Sequence, residues 1–152
     1  MRTRKPPSRR RPRKPGPTPT MLAAMAALAR EARERAQAAY SRFKVGAALK
    51  TRTGEIVTGC NIENASYGLT MCAERVAVFK AVSEGLDDFD VITVVADSRR
   101  LTPPCGPCRQ ILWEYCGDIL VHMSDLKGRS RTMRLSELLP MPFDSDSLGV
   151  SK

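Results

Sequence analysis

The sequence predicts an α/β protein, a three-layer α/β/α sandwich around a mixed central sheet. Three observations predict it: an Ala/Leu/Arg/Glu-rich helical stretch near the start, an alternating segment that turns back at Thr53-Gly54, and helical and extended segments that alternate from there to the end. A chain of 152 residues has room for one domain with a substantial core.

The first helix is expected from Thr20 to about Ala39, with Thr20 as its N-cap and Met21, Met25, Leu28 and Ala32 as one apolar stripe. Phe43, Val45, Ala47 and Leu49 alternate with polar neighbours, so residues 43–51 read as a strand, and Glu55–Asn61 returns as its hairpin partner. Asn61–Met71, with Asn64, Ser66 and Gly68, is expected to be a loop that delivers side chains to a site. A helix from near Cys72 to Gly85 is expected to bury Val76, Phe79 and Val82. Val91–Ala96 is a nearly continuous apolar run, as in a strand covered on both faces. A third helix from about Pro107 to Cys116 carries the stripe Cys108, Ile111, Leu112 and Tyr115. Ile119–Met123 and Arg131–Leu135 read as strands and Ser136–Leu139 as a short last helix. There is no internal repeat.

Charge divides the chain into three parts. Residues 1–20 hold eight Lys/Arg, six prolines and no acid, and are expected to be a disordered basic tail. Nucleic-acid contact is one reading of the tail, a solvated extension is the plainer one, and a translation start at Met21 is a third. The domain is expected over 21–148, with 149–152 as a C-terminal tail. Beyond residue 20 there are 17 basic and 16 acidic groups, so charge counting finds no basic face there. The five cysteines are an odd number and three sit in a ligand-like pattern, which points to a reducing compartment, the cytoplasm, rather than to a disulfide framework. No uninterrupted apolar run reaches the length needed to span a bilayer, so no membrane contact is expected.

Chemistry concentrates in Cys72-Ala73-Glu74-Arg75 and Pro104-Cys105-Gly106-Pro107-Cys108. Cys72, Cys105 and Cys108 can fill three corners of a zinc tetrahedron and leave the fourth for water, the arrangement of a catalytic rather than a structural site. Both groups fall at expected helix starts, where unpaired N–H groups favour thiolates. Three thiolates around Zn²⁺ leave a net negative charge, which Arg75 can offset from beside the ligands. Glu74 can take a proton from the attacking water and pass it to a ring nitrogen and to departing ammonia. Cys72 and Glu74 lie about 200° apart on a regular helix, so they converge only beyond its end. His122, the single histidine, reads as structural, and Cys60 and Cys116 as buried thiols.

These motifs, with Tyr40-Ser41-Arg42-Phe43-Lys44-Val45-Gly46-Ala47-Ala48-Leu49, Gly59-Cys60-Asn61-Ile62-Glu63-Asn64-Ala65-Ser66-Tyr67, Arg109-Gln110, Glu137-Leu138-Leu139-Pro140 and Phe143, make the chain resemble the small cytidine deaminases with an all-cysteine zinc site. The resemblance implies the deaminase-like sandwich and hydrolytic deamination of cytidine and 2′-deoxycytidine for pyrimidine salvage. It implies one Zn²⁺ per chain on Cys72, Cys105 and Cys108, with Glu74 as the proton shuttle. Asn61 and Glu63 would hold the ribose and Phe43 would pack against the nucleoside. The resemblance also implies a homotetramer in which Tyr67 and Phe143 serve a neighbouring subunit. Met141-Pro142 and Ala39 depart from the usual pattern of relatives. Competing readings are deamination of a cytosine-containing antibiotic, of cytosine within nucleic acid, or zinc binding without catalysis; aromatic residues at 5% leave few stacking platforms for a single strand.

Overall fold

The computed structural model describes residues 16–150. Most of the expected basic tail, residues 1–15, and residues 151–152 of the C-terminal tail lie outside the described residues. In chain order the elements are α1 (Pro19–Glu34), β1 (Val45–Thr51), β2 (Ile56–Cys60), α2 (Ala73–Ser83), β3 (Phe89–Ala96), α3 (Gly106–Cys116), β4 (Leu120–Ser124), β5 (Ser130–Arg134) and α4 (Leu135–Leu138). The sheet order is β2-β1-β3-β4-β5. β3 and β4 run parallel, joined through α3, and the other pairs are antiparallel, so the sheet is mixed as expected.

Side-chain alternation sorts the strands between two helical layers. Ala47, Leu49, Ile92, Val94 and Ala96 join Ala73, Ala77, Val78 and Leu112 beneath α2 and α3. Ala48, Val91 and Val95 pack instead with Met25 and Ala29 of α1 on the opposite face. β3 is buried on both faces, as its apolar run predicts, and each fully buried Val or Ile there contributes about 1.5–3 kcal/mol.

Five expectations are corrected. α1 starts at Pro19, with Thr18 rather than Thr20 as N-cap: the Thr18 hydroxyl accepts from the Met21 N–H at 3.2 Å, and a proline in the first turn lacks only an N–H that would be unpaired there. It also stops at Glu34, short of Ala39. The Gln37 N–H donates to the Asn61 carbonyl (3.0 Å) and the Glu63 N–H to the Gln37 carbonyl (2.9 Å), and this tertiary bridge overrides the helix propensity of the alanines.

The buried face of α2 is Ala73, Ala77, Val78 and Ala81, not Val76, Phe79 and Val82. The cause lies in the strand beneath: a Cβ on Gly59 of β2 would sit 2.4 Å from the Ala73 carbonyl oxygen and 2.6 Å from the Ala77 nitrogen. Backbones that approach so closely admit only small side chains between them. Phe79 is therefore turned outward, edge-on to Tyr115 of α3 at 6.4 Å between ring centres. Tyr115, expected to be buried, is exposed with it, and Cys60 and Cys116 are half-buried rather than buried.

Candidate metal centre

The sulfurs of Cys72, Cys105 and Cys108 lie within 4.8 Å of one another, with Cys72–Cys105 at 3.8 Å and Cys105–Cys108 at 3.4 Å. Sulfurs about 2.3 Å from a tetrahedral zinc are separated by about 3.8 Å, so the donor set fits that ion. Cys72 and Cys105 are the N-caps of α2 and α3, both with extended backbones, and Cys108 is the third residue of α3. Because Cys72 stands outside the helix, the angular obstacle to convergence with Glu74 disappears. The Arg109 guanidinium pins the second loop by donating to the Pro104 carbonyl and to the carbonyl of Leu138, the last residue of α4, both at 2.7 Å.

Charge explains why these thiols need a partner. Hydrogen bonding from the Cys108 thiol, with help from Arg75, holds Cys72 down to about 5 against the effect of burial. The thiolate so formed, together with burial, pushes Cys108 well above the ordinary thiol range. Three adjacent thiolates repel each other, and a divalent cation removes that conflict. Arg75 Nη2 lies 3.6 Å from the Cys72 sulfur and 3.4 Å from the Thr70 carbonyl, where the sequence places a compensating cation. Glu74, in the first turn of α2, is 4% exposed; burial first, and then the neighbouring Cys72 charge, raise its carboxyl to about 7. A carboxyl poised there can both accept and release a proton at neutral pH.

The other candidate residues divide between two surfaces. Glu63 borders a cavity of about 380 Å³ with Tyr40, Ser41, Tyr67 and Thr70, and the Tyr40 and Tyr67 rings meet edge-on at 5.8 Å. Asn61 is buried: its Oδ1 accepts from the Val45 N–H and its Nδ2 donates to the Phe43 carbonyl, both at 2.8 Å, which leaves one amide N–H outside these bonds. Phe43 is partly exposed beside it. Phe143 lies elsewhere, on the α3 side, where its carbonyl accepts from Gln110; it is 62% exposed and does not line the Glu63 cavity. The sequence reading assigned no role to Tyr40, Ser41 or Thr70, although the first two sit inside a block it singled out. A larger cavity, about 600 Å³, lies against α1, β4 and β5 and contains His122; it shares no residue with the thiol cluster.

Residues 20–123 match the family model for the cytidine and deoxycytidylate deaminase zinc-binding region. The chain belongs to that deaminase family. A cytidine deaminase of Halalkalibacterium halodurans is 52% identical over 119 residues, covering 78% of this chain and 90% of the relative. A blasticidin-S deaminase of Bacillus cereus is 35% identical over 111 residues, 68% of this chain and 79% of the relative. Among solved structures, the cytidine deaminase of Burkholderia pseudomallei superposes with a TM-score of 0.78 at 44% identity, over 80% of this chain and 98% of the other. Membership of the deaminase family accounts for the zinc-type donor set and for the sandwich that supports it.

Proposed function

We propose that this protein catalyses zinc-dependent hydrolytic deamination of cytidine and 2′-deoxycytidine, in pyrimidine salvage. The observation that carries the proposal is the buried Glu74 carboxyl in the first turn of α2, two residues on from Cys72, one of three thiols whose spacing suits zinc. Cys72, Cys105 and Cys108 hold one Zn²⁺ per chain, with Arg75 offsetting their charge. The bound ion supplies Lewis acidity that makes water a nucleophile at neutral pH.

Glu74 takes one proton from the attacking water and gives it to the ring nitrogen, then takes the second water proton from the new hydroxyl on the attacked carbon and gives it to the amino group. The carbon–nitrogen bond breaks, a carbonyl replaces the amine, and ammonia leaves, so water and cytidine are converted to uridine and ammonia. Glu63 and the spare Asn61 N–H hold the sugar hydroxyls, while Phe43 packs against the nucleoside. Tyr67 and Phe143, both largely exposed in the single chain, serve the pocket of a neighbouring subunit in a homotetramer; the outward-facing Phe79, Val82 and Tyr115 support such an assembly. Five free thiols favour a reducing compartment, the cytoplasm.

The test is ammonia release from cytidine by purified protein with zinc quantified per chain, beside a cytosine oligonucleotide and blasticidin S. Cytidine turnover with about one zinc per chain supports the proposal. Bound zinc with turnover of the antibiotic or the oligonucleotide alone overturns it.

A further inference from the structure

We infer that Ser41 is a positioning residue for sugar recognition, its hydroxyl locking the Glu63 carboxylate to the main chain of Phe43. The inference rests on the sugar-binding role proposed above for Glu63 and extends it to a residue that touches neither the metal ligands nor Glu74.

The Ser41 hydroxyl accepts from the Phe43 N–H at 3.0 Å, which leaves its one proton for the Glu63 carboxylate, to which it donates through Oε1. The other carboxylate oxygen, Oε2, accepts from the N–H groups of Tyr40 (2.7 Å) and Ser41 (3.1 Å). A carboxylate offers about four lone-pair sites. Three are occupied from within the chain, which leaves one on Oε1, and Glu63 lines the cavity of about 380 Å³. An ionised carboxylate with one open acceptor site selects a hydroxyl donor, as a sugar provides.

The backbone supports the same reading. Arg42, between Ser41 and Phe43, has φ = 57°, in the left-handed region that side-chain-bearing residues avoid. That turn is what folds the Ser41 hydroxyl back onto the Phe43 N–H, and strain of this kind persists only where surrounding contacts enforce it. Foremost among the influences on Glu63, the Ser41 hydrogen bond lowers its pKa against the opposing effect of burial. One hydroxyl thereby fixes the base-packing residue and the sugar-binding residue relative to each other.

The experiment compares wild type, Ser41→Ala, Ser41→Thr and Ser41→Cys as zinc-loaded proteins on cytidine, 2′-deoxycytidine and 2′,3′-dideoxycytidine, whose sugars lose hydroxyls stepwise. Ser41→Ala should raise KM about tenfold with kcat little changed on the substrates that retain the hydroxyl Glu63 holds, as expected for loss of a charge-assisted bond. The rise should vanish on the substrate that lacks it. Ser41→Thr keeps the hydroxyl and should restore wild-type KM. Ser41→Cys, close in shape but a weak donor, should reproduce the alanine effect and preserves the test if the alanine variant misfolds. On a Glu63→Gln background, Ser41→Ala should add little further. An equal loss on all three substrates, a fall in kcat at constant KM, or additive effects with Glu63→Gln would overturn the inference. A wild type that deaminates none of the three overturns the proposed function instead.

Discussion

At the residue scale the decisive feature is the division of labour between sulfur and carboxylate. Glu74→Gln preserves side-chain volume and removes the proposed proton carrier. Ammonia release should therefore drop about 10²- to 10⁴-fold, the usual worth of general acid–base catalysis, while metal analysis still finds the wild-type zinc content. Unchanged turnover would remove Glu74 from the mechanism. His122 permits a test with a different sign. Its Nδ1 shares a 2.8 Å hydrogen bond with the Thr132 hydroxyl, and burial lowers its pKa from 6.5. The unfolded chain therefore binds the proton more readily than the folded one, so this contribution to stability is complete above about pH 6.5 and is lost as pH falls below it. His122→Gln should flatten the slope of unfolding free energy between about pH 5 and 7, measured by urea titration of the zinc-loaded protein. An unchanged slope would show that the imidazole makes no net contribution.

At the scale of elements, two glycines seat the helices. A Cβ on Gly46 would lie 1.9 Å from the Ala29 carbonyl oxygen of α1, and one on Gly59 falls against α2. Either Gly→Ala change should cost about 1–3 kcal/mol in denaturant unfolding, because backbone must move. The two should differ in metal retention: Gly59→Ala displaces the helix that carries Cys72 and Glu74 and should weaken zinc in a chelator competition, whereas Gly46→Ala displaces α1, which carries no ligand. Equal metal affinity in both variants would contradict this account. These contacts also mark what could be read from sequence. The Cys72, Cys105 and Cys108 cluster, Glu74 beside it and the order of elements were legible, because ligand spacing and apolar periodicity are local signals. The inward face of α2 was not. Val76, Phe79 and Val82 are its bulky apolar residues, but the depth of packing is set by Gly59 on another element, so alanines face the sheet. Likewise the end of α1 is decided by pairing of Gln37 with the strand exit at Asn61–Glu63, a long-range event that composition does not record. The part proposed for Ser41 is not legible in the sequence, because it depends on the left-handed turn at Arg42, which no propensity predicts.

For the whole molecule, the outer faces of α2 and α3 and the neighbouring loops carry Phe79, Val82, Tyr115, Tyr67 and Phe143, all exposed in a single chain. If these faces form the proposed homotetramer, Phe79→Glu should lower the native mass measured by light scattering and reduce cytidine turnover in parallel, with the fold preserved by circular dichroism. A variant that keeps both mass and turnover would remove Phe79 from the proposed subunit contact. The placement of the three cysteines has a last consequence, for the order of events in biogenesis. Cys72 precedes β3, Cys105 and Cys108 follow it, and β3 pairs with both β1 and β4. A nascent chain that has exposed Cys72 still lacks two donors until β3 and the first turn of α3 have been synthesised. Zinc capture thus waits for the start of α3 to come beside α2 across β3, and during refolding the protection of these thiols from alkylation should trail the recovery of secondary structure.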